Sequence, residues 1–316
     1  MLAANPQNRV AGKVNPSKKY NPISEHLAFL RTVEANIERL RTNHLGQHLR
    51  PGPHYNHLLL PEDQRDRLDV VLVSPRNPLN IGAAVRAMAN FGFARLAVVA
   101  PYAPHWREAR SAVGAPELLQ NAIEATSLAE AVAGCTLVVG TGTVTYRKPE
   151  QPVVSLPEFA PLVRRELGRG GRVAVVFGPE NHGLTREDLS YCHLLVEIPT
   201  DPHQPSMNLG QAVAVCLYEL AVRAFRLQAS ALEMRTAQAA DKEEERSPAA
   251  PSGDLELLAG VVEEAMLAAD YSPRSMQAVN RHDLRLLLRR LAPTKRDTRH
   301  ILGLFRRILW RLNHRN

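Results

Sequence analysis

Aromatic residues are scarce in this chain of 316 residues, of which Phe, Trp and Tyr make up only 5%. An extensive platform for stacking nucleic-acid bases needs many such rings, so none is expected. Acidic residues are also in deficit, with 32 Asp and Glu against 39 Lys and Arg, and the formal net charge is +7. This balance favours a polyanionic partner such as RNA, held through its backbone phosphates rather than its bases.

Cysteines are equally few, and Cys135, Cys192 and Cys216 fall in or next to apolar runs. We therefore expect buried free thiols and no disulfide. Cys192 and His193, with His203 nearby, could suggest a cluster of metal ligands. The apolar residues 194–196 favour a strand there instead, and no metal site is predicted.

Long apolar runs and a glycine-rich nucleotide motif are missing too. No run is long enough to span a bilayer, and the first residues lack the apolar core of a secretory leader, so the protein is expected to be cytoplasmic. No G-x-G-x-x-G motif follows the first apolar strand. Its absence argues against a Rossmann dehydrogenase or a Rossmann methyltransferase.

Short apolar runs alternate with helical patterns from Leu68 to about Phe225. This alternation predicts an α/β fold with a mostly parallel sheet that is covered on both faces. The runs comprise residues 70–73, 94–100, 137–140, 173–177 and 194–198. A chain of this length, with 45% hydrophobic residues, is expected to carry one main domain with appendages.

The chain is expected to divide into four parts. They are an N-terminal extension (1–67) that is partly helical, the main domain (68–230), a flexible linker (231–254) and a basic helical C-terminal extension (255–316). From Arg274 to the C-terminus the segment has many arginines but only two acidic residues, Asp283 and Asp297, and leucines recur at helical spacing. We expect a small helical unit that either holds RNA or docks on a dimer.

Two segments combine the end of a strand, a polar loop and the start of a helix. In the first, a helix begins near Asn80, and Arg86 points away from its apolar face. Taken alone, Arg86 is an ordinary solvated charge. In the second, an apolar run ends at Gly178, and the carboxylate Glu180 precedes a capped helix that starts near Thr185. Open α/β sheets bind their ligands at such strand ends.

A third segment, residues 198–220, joins a turn of Pro, His and Gln to a helix. Ser206 and Asn208 are residue types that cap helices, and Val213, Cys216 and Leu217 follow at helical spacing. The first turn of such a helix offers free backbone N–H groups to a ligand. The alternative is a helix cap that binds nothing.

Read in order, the three segments give N-x-G-x-x-x-R, F-G-x-E-x-x-G-L and I-P-T-x-P-x-x-x-S-M-N-L-x-Q-A-V. This series resembles the SpoU (TrmH-like) branch of the SPOUT superfamily of RNA ribose 2′-O-methyltransferases, over most of Asp69 to Phe225. The resemblance implies a trefoil-knotted α/β fold, S-adenosylmethionine bound in the knot, and a homodimer. Because chains rarely thread their own loops, the knot is implied by the family alone.

The resemblance also implies roles for particular residues. Arg86 matches the family's catalytic arginine, and Asn80, Glu180, Ser206 and Asn208 match its polar site residues. Because a guanidinium stays protonated, we expect Arg86 to clamp a phosphate and to stabilise charge on the 2′-oxygen. Glu180 is expected to orient this arginine or, alternatively, to cap the helix near Thr185.

The implied cofactor pocket is built more from backbone than from side chains. Its matching residues are Thr141, Gly142, Thr143, Gly178, Ile198, Pro205, Ser206 and Met207. Gly178 is expected to need no side chain because the cofactor would approach closely there.

The expected substrate is tRNA, because the branch that methylates position 32 of the anticodon loop also has a short helical C-terminal extension. Two departures leave the target nucleotide open. Thr141-Gly-Thr-Val144 stands where that branch has T-S-A-R, and Gln204-Pro-Ser206 stands where it has Tyr-Ser-Ser. The alternatives are a ribosomal RNA 2′-O-methyltransferase and a non-catalytic RNA-binding protein of the same fold.

Overall fold

The computed structural model describes residues 60–109, 111–143, 149–223, 249–271 and 273–314. The helix predicted near the N-terminus and most of the predicted linker lie outside these residues. Within them, no helix is long and apolar enough to cross a bilayer.

A seven-stranded sheet lies at the centre of the described part of the chain, in the order β3-β2-β1-β6-β4-β7-β5. Every neighbouring pair is parallel, which confirms the predicted α/β fold with a parallel sheet. The strands are β1 (Leu68–Val73), β2 (Arg95–Val99), β3 (Ile123–Ala125), β4 (Leu137–Thr141), β5 (Val153–Ser155), β6 (Val173–Phe177) and β7 (Leu194–Glu197).

Helices connect the strands, and three further helices follow at the C-terminal end. They are α1 (Glu62–Arg65), α2 (Pro78–Asn90), α3 (Pro116–Gln120), α4 (Leu128–Ala131), α5 (Leu156–Gly168), α6 (Arg186–Ser190), α7 (Leu209–Tyr218), α8 (Ser252–Ala268), α9 (Gln277–Leu291) and α10 (Lys295–Asn313). Short 3-10 turns lie at Trp106–Glu108 and Arg274–Met276, and a π-helical turn at Glu219–Arg223 follows α7.

The core lies on both faces of the sheet, as predicted. All six residues of β1 are buried. Val70 and Leu72 pack into one apolar cluster with residues of α2, α5 and α7, whereas Val71 and Val73 pack into a second cluster on the opposite face. This alternation follows from the two-residue period of a strand, and it fixes the positions of the strand ends that carry the polar loops.

Helices α2 and α7 cross at very short range. A Cβ atom added to Gly210 of α7 would lie 2.6 Å from the Cβ of Ala83 in α2. Position 210 therefore has no room for a methyl group. The crossing brings the first turns of both helices together at the carboxyl edge of the sheet.

The C-terminal helices pack on the core through the start of α8. This helix begins at Ser252, three residues before the predicted start. The backbone N–H and hydroxyl of Ser252 donate to the carbonyl oxygen of Cys135 at 2.8 and 3.0 Å, and the N–H of Gly253 donates to that of Ala133 at 2.9 Å. Periodicity could not predict this start, because these residues begin the helix while binding core carbonyls.

A cluster of ion pairs joins α9 to α8 and α6. Glu256 accepts from Arg285 Nε at 2.9 Å and from Arg289 at 3.0 Å, and Arg285 also binds Glu187 of α6. The side chains of Arg285 and Arg289 are only 8% and 2% exposed. The carboxylate partners of these two arginines therefore lie outside the basic segment that contains Asp283 and Asp297, on elements remote in sequence.

Glu256→Ala is expected to lower the free energy of unfolding by roughly 3 kcal/mol. The substitution removes the carboxylate that both buried guanidinium groups, of Arg285 and Arg289, bind. Urea unfolding, with limited proteolysis to follow the release of α8–α10, would measure this loss. Glu264→Ala, at an exposed position of the same helix, is the matched control and should change stability by less than about 0.5 kcal/mol. Equal effects of the two variants would contradict the prediction.

Candidate active site

A cavity of about 350 Å³ opens at the carboxyl ends of β4, β6 and β7. It is lined by Thr141, Gly142, Thr143, Phe177, Gly178, Pro179, Glu180, Asn181, His182, Gly183, Ile198, Thr200, Pro205, Ser206, Met207, Leu209 and Ala212. Every residue predicted to hold the cofactor is among them. Three loops that are far apart in sequence, each following a strand of the sheet, thus converge on one cavity.

The end of β4 forms one wall of this cavity. The hydroxyl of Thr141 donates to the carbonyl oxygen of Val176 at 3.0 Å, and the N–H of Gly142 donates to that of Val196 at 3.3 Å. These bonds tie β4 to both neighbouring strands. A Cβ added to Gly142 would meet no protein atom within 4 Å, so the backbone there is open to a ligand.

The loop after β6 folds tightly on itself. The N–H of Gly183, whose φ is +66°, donates to the carbonyl oxygen of Pro179 at 2.9 Å. A Cβ on Gly178 would lie 2.3 Å from backbone atoms of both Gly183 and Leu184. Gly178 lines the cavity, and its own loop leaves no room for a side chain at this position.

Asn208 caps α7, and Ser206 does not. The Asn208 side-chain oxygen accepts from the backbone N–H of Gly210 at 3.0 Å and of Gln211 at 3.4 Å. Ser206 is exposed and lines the cavity. Only one of the two residues therefore has the capping role that both residue types favour.

A chain of hydrogen bonds joins the three loops beside the cavity. The carboxylate of Glu180 accepts from the side-chain amide of Asn80 at 2.8 Å, and the side-chain oxygen of Asn80 accepts from the amide of Asn208 at 2.9 Å. Glu180 also accepts the backbone N–H groups of Arg76 and Asn77 at 3.0 and 3.1 Å. Asn80, Glu180 and Asn208 therefore form one unit, in which Glu180 binds Asn80 rather than Arg86, the residue that it was expected to orient.

The carboxylate of Glu180 is held in its charged form. Partial burial opposes ionisation, but the hydrogen bonds from Asn80 and from the backbone of Arg76 and Asn77 outweigh it and lower the pKa of Glu180 below 4.5. At neutral pH this carboxylate is therefore a pure acceptor. It cannot donate a proton, and its structural bonds are lost only as the pH falls through the lowered pKa.

The capping roles differ from those predicted. Asn77 rather than Asn80 caps α2, with its side-chain oxygen 2.9 Å from the N–H of Leu79. The helix of Thr185 is capped by Thr185 itself together with Asp188, so the alternative role of Glu180 there was wrong. The sequence Asn77-Pro78 carried the missed signal, since proline favours the first turn of a helix just after its cap.

Arg86 does not join this unit within one copy of the chain. It lies six residues after Asn80 on α2, which corresponds to about 9 Å along the helix and about 120° around it. Its side chain is exposed, does not line the cavity and has no hydrogen bond or ion pair with the described residues. The single chain therefore presents Arg86 on an open helix surface.

The three cysteines are buried free thiols, as predicted, and burial raises the pKa of each. His193 precedes β7, where its Nδ1 accepts the N–H of Val138 at 3.0 Å, and burial lowers its pKa to about 3. This imidazole is therefore neutral and structural. Among the described residues no three His, Cys, Asp or Glu side chains are placed to hold a metal ion.

Residues 67–218, which include the cavity and its polar rim, match the SpoU rRNA Methylase family. The tRNA (cytidine/uridine/adenosine-2'-O-)-methyltransferase TrmJ of Pseudomonas aeruginosa is 42% identical over 49% of this chain, and the alignment spans 60% of that protein. The tRNA (cytidine/uridine-2'-O-)-methyltransferase TrmJ of Pectobacterium atrosepticum is 30% identical over 76% of this chain and 95% of its own length.

A similar solved structure is the crystal structure of TrmJ from Z. mobilis ZM4, with a TM-score of 0.63 at 30% sequence identity. The superposition covers 76% of this chain and 98% of that one. The likeness thus extends well beyond the segment that matches the family.

Proposed function

The chain belongs to the SpoU rRNA methylase family, and we propose that it transfers a methyl group from S-adenosylmethionine to a ribose 2′-hydroxyl of tRNA. The observation that carries this proposal is the bonded unit of Asn80, Glu180 and Asn208 on the rim of the cavity. The names of the aligned relatives support tRNA as the substrate class.

The cavity suits the cofactor. Its volume lies within the range of about 300–1,000 Å³ that is usual for small-molecule sites. Phe177, Met207 and Leu209 offer apolar surface, and the open backbone at Gly142 permits close approach. S-adenosylmethionine, when bound, would supply the methyl group together with its own leaving group and positive charge.

The protein's own task is to orient the ribose and to stabilise the oxygen as it loses its proton. Asn80 and Asn208 are held in place by their mutual hydrogen bond and by the bond from Asn80 to Glu180, so both are preorganised to orient a ribose. Arg86 supplies a positive charge. It would clamp a phosphate and lower the energy of the forming alkoxide.

We propose a homodimer in which a second copy brings its Arg86 to this cavity. Within one chain the arginine is exposed and away from the rim. The family resemblance implies a homodimer, and an Arg86 from a second copy would complete a site that one chain leaves incomplete.

The proposed target is position 32 of the anticodon loop. The proposed location is the cytoplasm, where the enzyme would encounter tRNA. The test uses the full-length protein, labelled S-adenosylmethionine, and total tRNA and ribosomal RNA from a strain that lacks the gene. We expect label in tRNA, and a map of 2′-O-methyl groups should place it at position 32.

Label in ribosomal RNA alone would favour the alternative substrate. RNA binding without any cofactor binding in calorimetry would indicate a non-catalytic protein of this fold. Either result would overturn the proposed activity on tRNA.

A further inference from the structure

An exposed aromatic ring lies at the carboxyl end of β2, close to the polar rim. Tyr102 is 71% exposed, and the guanidinium carbon of Arg76 lies 4.8 Å from the centre of its ring. The N–H of Tyr102 donates to the carbonyl oxygen of Pro75 at 3.2 Å. The pair is thus formed by two loops that leave neighbouring strands.

Both loops begin with an unusual backbone conformation. Ser74, after β1, has a φ of +45°, and Ala100, after β2, has a φ of +43°, values that residues with side chains rarely adopt. The N–H of Ser74 donates to the carbonyl oxygen of Val99 at 2.7 Å, which fixes one turn against the next strand. Strained residues held in this way cluster at binding and catalytic sites.

The pair is also attached directly to the proposed active site. The backbone N–H of Arg76 donates to the carboxylate of Glu180 at 3.0 Å, and Glu180 holds Asn80. The guanidinium of Arg76 has no carboxylate partner among the described residues. An open ring and an unpaired cation therefore lie beside the rim where a ribose is expected.

We propose that Tyr102 and Arg76 form a platform for one nucleotide next to the methylated one, with the base stacked on the ring and its phosphate held by the guanidinium. Aromatic rings and arginines are the groups that hold unpaired nucleotides in this way. The inference rests on the proposed function and narrows it to an RNA whose bases are unstacked around the target. A single ring is enough to stack one base, so the low aromatic content of the chain is compatible with this platform.

The test compares Tyr102→Ala with Tyr102→Phe and with Ile123→Ala. Ile123 is 55% exposed at the amino end of β3, at the opposite edge of the sheet from the platform, and serves as the control. The dissociation constant for an unmodified tRNA transcript should rise about 10-fold in Tyr102→Ala. It should stay within about twofold of wild type in the other two variants, because phenylalanine keeps the stacking surface. The affinity for S-adenosylmethionine should not change.

Arg76→Ala should weaken tRNA binding and reduce its dependence on salt by about one counterion. A tRNA that lacks the base on either side of the target should bind wild type more weakly, and Tyr102→Ala should no longer distinguish it from intact tRNA. Wild-type tRNA affinity in Tyr102→Ala, or a full base effect that persists in that variant, would overturn the platform. These experiments measure binding and not methyl transfer. If the wild-type protein binds tRNA without methylating it, the proposed activity is refuted and the platform is not.

Discussion

Arg86→Ala is expected to lower the rate of methyl transfer by about 100- to 1,000-fold while the affinity for S-adenosylmethionine stays within about twofold. The loss follows because a charge that stabilises the reacting oxygen is removed from the transition state. The affinity is kept because Arg86 does not line the cavity of its own chain and is proposed to act on the RNA rather than on the cofactor. Single-turnover rates with tRNA and calorimetry with the cofactor would measure the two quantities. Turnover at the wild-type rate would refute the role of Arg86.

A mixing experiment decides whether Arg86 acts across a dimer. The second variant is Gly142→Leu, whose added side chain would enter open space within the cavity and block the cofactor. If Arg86 serves the partner's cavity, random mixing of the two inactive variants should restore about one quarter of wild-type activity, since half the dimers are mixed and each has one complete site. If Arg86 serves its own chain, mixing should restore nothing.

Gly178→Ala is expected to lower the free energy of unfolding by roughly 1–3 kcal/mol and to weaken cofactor binding at least 10-fold. The added methyl group would meet backbone atoms at 2.3 Å, which no side-chain rotation can relieve, so the loop that lines the cavity must move. Urea unfolding and calorimetry would measure both effects.

Gly142→Ala is the matched control, because it adds the same methyl group to the same cavity without a clash. Its stability should stay within about 0.5 kcal/mol of wild type. A loss of cofactor affinity in this variant would then report contact with the ligand itself. Wild-type stability and affinity in Gly178→Ala would contradict the structural account of that loop.

The central strands could be predicted from sequence because burial on both faces gives continuous apolar runs, as in β1 and β6. The edge strands β3 and β5 could not, because Ile123, Glu124 and Val153 are exposed and leave no such run. Burial of Arg285 was also beyond pattern analysis, since its carboxylate partners lie on two other helices.

For the site, sequence order and the family resemblance identified residues that meet in space, including Asn80, Glu180 and Asn208. They did not predict that Glu180 binds the backbone ahead of α2, because one carboxylate can satisfy several kinds of donor. The trefoil knot was expected from the family alone, as no residue periodicity encodes the threading of a chain.

The contact between Gly210 and Ala83 limits how this enzyme could acquire a new target. The close contact of Gly210 with Ala83 keeps the two helices from moving closer, and the hydrogen bond between Asn80 and Asn208 holds their first turns together, so the spacing of the two asparagines is fixed. We therefore expect changes in nucleotide preference to arise in the surrounding loops, while the contacts of the two asparagines with the ribose stay the same.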